Sequence, residues 1–266
     1  MVQLSDLHFG AGKQNVHPAH QLLEHVVAVV KEQQNSVVLA SGDITYQALD
    51  AGYREATHFF EQLLDRTGLD RSRFLFCPGN HDCHATGHFK AFDTFTYGIR
   101  RDNECTFSGT TCRLLAIDGL NFLLMNSSHH LDHRYGLADV DALGKLAPAD
   151  PANCVAVIHH HLIPTDKMDP STTRNAHEVL LTLDDKGVPI LLHGHQHVAK
   201  GVAVGRTPVN VLGVNSFNFH VPGGQNAIGL LNWRDDGVSF SRRVLFDSGL
   251  TKSSAHYKEV DRVTIR

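Results

Sequence analysis

The sequence predicts an α/β fold built on parallel strands. Two observations carry this expectation. Short apolar runs alternate with amphipathic stretches through the first third of the chain, and each of five apolar runs closes on a polar cluster. Strand–helix–strand–helix order implies parallel strands joined by right-handed crossovers, and ligands of such sheets gather where the strands end.

Val2 to Leu4 is a very short first strand. His17 to Gln34 carries Leu22, Leu23, Val26, Val27 and Val30 at helical spacing, and Val37 to Ala40 follows as a second strand. Ala48 to Leu64 reads as a helix burying Phe59, Phe60, Leu63 and Leu64, with Gly68 as a stop signal shortly beyond. Arg73 to Phe76 is a third strand. Cys112 to Ile117 and Asn121 to Met125 flank Asp118-Gly119, a hairpin signal. Ser127 to Tyr135 is polar and rich in histidine, a loop over the strand ends. Leu137 to Leu146 reads as a short helix, and Val155 to Ile158 and Val188 to Leu192 as buried strands around a helix near Ala176 to Leu183. Beyond His197 the pattern turns to β, with strands at Val198 to Val204, Val209 to Val214, Ala227 to Asn232 and Val238 to Val244. No repeat, low-complexity tract or Pro/Ser-rich linker divides the chain, so residues 1–266 read as a single domain.

A chain of 266 residues can bury a full core, and 42% apolar with 20% charged residues is an ordinary globular profile. Lysine and arginine number 24 against 28 acids, a formal charge of −4. That balance supplies no basic field for duplex DNA or an anionic membrane. It leaves a phosphate substrate open, because bound cations would dominate the local field. The five cysteines, Cys77, Cys83, Cys105, Cys112 and Cys154, form no C-x-x-C pair, and their odd number argues against a disulfide framework. A Cys105–Cys112 bridge is disfavoured on the same ground. No apolar run approaches the roughly 18 residues of a membrane span, and the amino terminus lacks a signal-peptide pattern. A cytoplasmic location is expected.

Histidine is over-supplied, at 20 residues. The five clusters are Asp6-Leu7-His8, Gly42-Asp43, Gly79-Asn80-His81-Asp82, His159-His160-His161 and Gly194-His195-Gln196-His197. Together they hold more metal-binding side chains than one ion uses, and carboxylate mixed with imidazole suits borderline divalent metals. Two ions about 3.5–4 Å apart need a shared anionic ligand; Asp43, behind a glycine that permits a tight turn, is the candidate bridge. Asp6 and His8 stand two apart, so on an extended segment both face one side, and His195 and His197 repeat that alternation. Asn80 offers a neutral amide oxygen, and His159 completes the set. His81 reads as a general acid for the leaving oxygen, with Asp82 fixing its tautomer. The nucleophile expected is water or hydroxide held by the ions.

In this order the clusters resemble the signature of the calcineurin-like metallophosphoesterase superfamily. The resemblance runs from residue 6 to residue 197, and the ordered set is far more specific than any one block. It implies a four-layer α/β/β/α sandwich, with a dinuclear metal site at the carboxyl ends of the strands of two central mixed sheets. Asp6, His8, Asp43 and His197 would hold one ion, and Asp43, Asn80, His159 and His195 the other, with His81 as the catalytic histidine. Three consecutive histidines stand where the family usually shows one or two; His159 is preferred as ligand and His160 is the alternative. Ser5 to Gly10, Ser41 to Thr45 and Pro78 to Asp82 resemble the bacterial branch of cyclic-nucleotide phosphodiesterases and glycerophosphodiesterases. The resemblance therefore implies hydrolysis of a small phosphodiester, cyclic nucleotides leading, with manganese, iron or zinc as the two ions. A nuclease, a phosphomonoesterase and a non-catalytic scaffold are the alternatives; the net charge disfavours the nuclease and the complete ligand set disfavours the scaffold.

The remaining histidines need no special cause. His17, His20, His25, His58 and His256 read as surface or satisfied core residues, and His193 as the end of a strand. His84, His88, His129, His130 and His133 lie in loops open to lining the substrate mouth, though solvated loop residues are the simpler reading; Asn126 and Tyr135 are open to phosphate or base contacts on the same terms. Phe217, Phe219 and His220 fit a β core as well as a rim.

Overall fold

The computed structural model describes residues 1–33, 35–164, 167–197, 201–206, 208–220, 222, 225–234, 237–245 and 257–265. In chain order the elements are β1 (Val2–Leu4), α1 (Ala19–Glu32), β2 (Val38–Ser41), α2 (Asp50–Thr67), β3 (Phe74–Cys77), α3 (Lys90–Arg100), β4 (Cys112–Ile117), β5 (Leu120–Met125) and α4 (Val140–Lys145). They continue with β6 (Cys154–Ile158), α5 (Ala176–Lys186), β7 (Ile190–His193), β8 (Gly201–Val204), β9 (Val209–Gly213), β10 (Ala227–Arg234), β11 (Gly237–Leu245) and β12 (Tyr257–Ile265). His256 and the first residues of the strand expected from Val198 lie outside the described residues.

The strands form two six-stranded sheets, in the orders β12-β11-β10-β1-β2-β3 and β4-β5-β6-β7-β9-β8. β1, β2 and β3 run parallel, with β10 antiparallel to β1. β5, β6, β7 and β9 run parallel, closed by antiparallel β4 and β8 at the edges. Both sheets are therefore mixed.

Side-chain alternation stacks the layers. Phe122 and Leu124 of β5 and Val155 and Val157 of β6 join one core with the first sheet, α1, α2 and α3. Their neighbours Leu123, Met125, Ala156 and Ile158 face the other way, into a second core with Leu143 of α4 and Val179 and Leu183 of α5. A strand buried on both faces cannot alternate apolar with polar, which is why these runs are continuously apolar. The arrangement is the four-layer α/β/β/α sandwich that the resemblance implies. Each fully buried phenylalanine, Phe60, Phe74, Phe76 and Phe122 among them, contributes about 1.5–3 kcal/mol of burial.

The element ends have local causes. α1 starts two residues later than periodicity suggests, because Pro18 bars its predecessor from helical backbone and is itself extended at ψ 137°. α2 starts at Asp50 because Ala48 turns left-handed, φ 53°, with its N–H bonded to Thr45 Oγ1 at 2.9 Å. It stops at Gly68, φ 67°, whose N–H returns to the Leu64 carbonyl. α4 is shorter than expected because Asp139 caps it, accepting from the Ala142 N–H. The Asp118-Gly119 turn has φ 49° and 82°, the left-handed pair a two-residue hairpin needs. Two elements go beyond the periodicity read above. α3 buries Phe92, Phe95 and Ile99 at helical spacing, a signal diluted by Thr94, Thr96 and Gly98, poor helix formers. β12 extends the first sheet beside β11. Among the described residues no helix is long and apolar enough to cross a membrane.

Candidate metal centre

The exits of β1, β2, β3, β6 and β7 meet at one rim. After β1 the chain runs beside the segment after β2: the amides of Asp6, His8 and Phe9 donate to the carbonyls of Gly42, Asp43 and Ile44 at 3.0–3.1 Å. Asp6, His8 and Asp43 are thereby delivered to one space. From the other sheet, His159 and His195 arrive side by side, because β6 and β7 are parallel neighbours and the Gly194 N–H donates to the His159 carbonyl at 3.1 Å.

Side-chain donors gather there in three groups that could each hold a metal ion: Asp6 with His8 and His197, His8 with Asp43 and His81, and Asp43 with His159 and His195. Asp43 Oδ2 lies 3.2 Å from His159 Nε2 and 3.8 Å from His8 Nε2. His197 Nε2 lies 3.2 Å from Asp6 Oδ1. His159 Nε2 and His195 Nδ1 face each other at 3.3 Å. Asn80 sits between two residues packed on Asp43: the His81 N–H donates to Asp43 Oδ1 at 2.9 Å, and Gly79 comes so close that a β-carbon there would stand 2.1 Å from the same oxygen.

Backbone conformation is unusual where the side chains matter. Asp6, His8, Asp43, His195 and His197 all have positive φ, between 49° and 70°. Left-handed backbone at such residues is strained by about 1 kcal/mol or more each. The Asp6/His8 and His195/His197 pairs therefore do not share a side through extended alternation, as the sequence suggests. Left-handed turns aim them instead, and His195 and His197 fall into different groups. Close approach is the other device. A β-carbon at Gly42 would stand 2.2 Å from His159 Nδ1, and one at Gly194 would stand 1.8 Å from Ser5 Oγ and 2.6 Å from Asp6 Oδ2.

Charge at the rim is divided unevenly. Burial works to raise the Asp6 and Asp43 carboxyls, but neighbouring imidazoles, His197 for Asp6 and His159 for Asp43, hold both below the ordinary carboxylate range. Burial would lower His159 too, yet the Asp43 carboxylate overrides it and lifts the imidazole to about 9. Burial depresses His8 to about 4. Burial, with His159 next, depresses His195 to about 3. A divalent cation fits this donor set. Both ring nitrogens of His8, and Asn80 Oδ1, are buried without a hydrogen-bond partner. Such orphans cost about 1–3 kcal/mol each, which coordination would recover.

The three consecutive histidines have three environments. His159 joins Asp43 and His195, whereas His160 Nδ1 pairs with Ser127 Oγ at 2.8 Å. His161 Nε2 pairs with Asp169 Oδ2 at 2.7 Å, and Asp169 also accepts from Gln196 Nε2 at 3.1–3.2 Å.

The role expected for Asp82 is corrected. Its carboxylate does not orient His81; it accepts from the amides of Ile44, Thr45 and Gly79 at 3.0–3.1 Å and from the Tyr53 hydroxyl at 3.4 Å. Asp82 is a staple between the turns that carry Asp43 and Asn80. Burial first, and the Asp43 carboxylate next, push the Asp82 carboxyl up to about 7, and the three amide donors pull the other way; these charge-assisted bonds, not the half-buried His81 imidazole, hold it. His81 Nδ1 instead meets the Tyr46 carbonyl at 2.5 Å, which puts the proton on Nδ1 and turns Nε2 to the rim, while the ring lies edge-on to His8 at 5.0 Å. The Tyr46 ring stacks on His81 at 5.5 Å and on Phe219 at 5.9 Å. Phe219 also packs on His8 at 4.6 Å, so it belongs to the rim, whereas Phe217 is core. Sequence reasoning passed over Tyr46 and Asp169. The one available signal was position, directly after Asp43-Ile44-Thr45 for Tyr46. Of the loop histidines, His133 reaches the centre through Nδ1, 2.7 Å from the Asn80 carbonyl. His84, His88, His129 and His130 stand outside the three groups.

With this geometry in place, comparison with known proteins is informative. A dimetal phosphatase from Danio rerio superposes over 99% of this chain and 97% of its own at TM-score 0.70 and 12% identity. The purple acid phosphatase PPD1 from yellow lupin seeds superposes over 99% of this chain and 53% of its own at TM-score 0.57 and 10% identity. At such identities these likenesses speak to the fold alone. No curated protein sequence matches the chain. The model of the calcineurin-like phosphoesterase family matches residues 1–199, a stretch that takes in all five clusters. The chain belongs to the calcineurin-like phosphoesterase family.

Proposed function

We propose that the chain is a metal-dependent phosphodiesterase of small diesters, with cyclic nucleotides the leading substrate class. One observation carries the reading: Asp43 is common to two donor groups, its Oδ2 between His8 and His159 and its Oδ1 pinned by the His81 amide. A carboxylate so placed is what two adjacent dications require. Asp6, His8, Asp43 and His197 would hold one ion; Asp43, Asn80, His159 and His195 the other. Manganese, iron and zinc all suit this oxygen and imidazole set. Bound cations supply Lewis acidity and an acidified water. The chain's own groups do the rest. His81, its Nδ1–H held by the Tyr46 carbonyl, presents Nε2 to the substrate; doubly protonated, it gives the Nε2 proton to the leaving oxygen and keeps the one on Nδ1, a transfer a diester needs because neither alkoxide leaves readily. Tyr46 and Phe219 wall one side and keep the imidazole upright. Five buried cysteines without disulfides support a reducing compartment such as the cytoplasm.

The test is hydrolysis by purified protein loaded with Mn²⁺. Bis(p-nitrophenyl) phosphate and 2′,3′- and 3′,5′-cyclic nucleotides are expected to be cleaved faster than p-nitrophenyl phosphate. Cleavage of no diester above the metal-only blank would overturn the reading.

A further inference from the structure

Beside the centre lies a cavity of about 640 Å³ that none of the roles above uses. The register pairs Met125 with Ile158, so Asn126 and His159 leave adjacent parallel strands one residue later, roughly 5 Å apart along the sheet. His159 enters the metal centre, and Asn126 lines the cavity. The cavity and the centre are thus approached from neighbouring exits of one sheet rim.

The lining polar groups are incompletely paired. Asn126 is 1% exposed; its Oδ1 accepts from the Ser128 N–H at 2.9 Å, which fixes the amide, and its Nδ2 is a buried donor without a partner. His129 Nε2 is likewise buried without a partner. An imidazole nitrogen so placed accepts or donates according to tautomer. Phe89 and Phe107 form apolar wall. Asp139 also lines the cavity, with its carboxylate bonded to the Ala142 N–H and Thr111 Oγ1 at 2.9 and 2.7 Å. Lys90 lines the cavity too, so the wall carries one charge of each sign and offers an anion no net attraction, whereas two cations at the metal centre would; the phosphate belongs there and an uncharged group here. Leaving two polar atoms buried and unpaired costs about 1–3 kcal/mol each, a cost that a complementary ligand would remove.

We propose that this cavity receives the uncharged organic group of the phosphoester. It selects groups that set an acceptor against Asn126 Nδ2 and a second polar atom against His129 Nε2, as on the edge of a heterocyclic base. The assignment rests on the phosphodiesterase reading for the reaction, but its binding test needs no turnover.

Adenosine, cytidine, guanosine and uridine are titrated calorimetrically into the full-length protein, and the same nucleosides are tested as inhibitors of bis(p-nitrophenyl) phosphate cleavage. At least one is expected to bind, with a preference among bases of tenfold or more. Asn126→Asp keeps the bond from the Ser128 amide and replaces the lone donor by an acceptor; it should weaken the preferred nucleoside at least tenfold and reorder the bases. Ser108→Trp fills the cavity from its exposed edge without touching the buried polar groups, and should abolish binding even if the first variant folds poorly. No binding by any nucleoside, or equal affinities across wild type and Ser108→Trp, overturns the proposal. Diester cleavage without nucleoside binding discards the cavity's role and keeps the reaction. Nucleoside binding lost in both variants, in a protein that cleaves no diester, keeps the cavity and discards the reaction.

Discussion

Gly79→Ala tests whether the approach of β3's exit to Asp43 shapes the centre. The new methyl carbon would stand 2.1 Å from Asp43 Oδ1, 2.4 Å from its backbone nitrogen and 2.9 Å from its carboxyl carbon. Gly79 has φ −106°, which any residue adopts, so the penalty is purely the collision. Ordinary contact begins near 3.4 Å, so Asp43 and residue 79 must separate by about 1.3 Å. Neither is free to move: the Gly79 amide donates to Asp82 Oδ2 at 3.0 Å, and the Asp43 carbonyl accepts from the His8 amide at 3.0 Å. Overpacking of this kind costs about 1–3 kcal/mol of stability. A misplacement of about 1 Å at a reacting centre costs on the order of 10²-fold in rate. With Asp43 shared as proposed, both ions should be lost together. Metal content by elemental spectroscopy after dialysis against Mn²⁺ is the assay, with thermal melting of the metal-free protein beside it. Gly98→Ala, whose β-carbon meets nothing within 4 Å, is the control and should stabilise α3 by about 0.5–1 kcal/mol. Two retained equivalents of Mn²⁺ with unchanged affinity in Gly79→Ala would refute the shared role of Asp43.

Four further outcomes follow. His81→Ala should keep its metal and lose roughly 10²–10⁴ in turnover; an emptied site with normal activity per bound ion would reassign the residue. Asp43→Ala should release metal from both positions, and one retained equivalent would show that the two groups are independent. Asp82→Asn presents an amide to backbone N–H groups, so it should destabilise the metal-free fold by about 1–3 kcal/mol. Since Asp82 does not touch His81, the pH–rate profile per bound metal should keep its limbs; a shifted limb would restore Asp82 as the orienting group. His159 must release its proton to coordinate, so metal affinity should rise roughly tenfold per pH unit up to about 9. Calorimetry in two buffers should count at least one proton released per site, and affinity flat between pH 6.5 and 8.5 would be incompatible with this. The sign for the metal-free fold is opposite. His159 is raised above its ordinary 6.5, so its contribution to stability is full below 6.5 and is lost as pH rises through about 9.

The centre was readable because each donor run directly follows a buried apolar strand, and a parallel sheet brings strand ends together. Val2–Leu4 and Val155 to Ile158 are plain examples. How the donors are aimed was not readable from spacing; the resemblance alone set His195 and His197 on different ions. The alternation in His195-Gln196-His197 suggests an extended segment, but extended backbone would send both imidazoles to one ion; positive φ at each sends them to different groups. The group that fixes His81 was invisible for another reason, since a carbonyl such as that of Tyr46 carries no residue signature. Asp82 was adjacent and titratable, yet three amides closer in space claim it. α3 was missed because Gly98 and two threonines blur an otherwise regular phenylalanine spacing.

β1 lies between β2 and β10 and pairs Val2 with Leu230. The Ser5 carbonyl accepts from the Phe217 amide, and the Asp6 carbonyl from Ser216 Oγ, both at 2.8 Å. The earliest donors to emerge from the ribosome are thus braced by segments synthesised more than two hundred residues later. A nascent chain halted before Ser216 would hold Asp6 and His8 without their buttress, so ion capture should trail translation. Arrest at residue 210, with the emerged chain probed for Mn²⁺ retention, would show whether assembly waits for that brace.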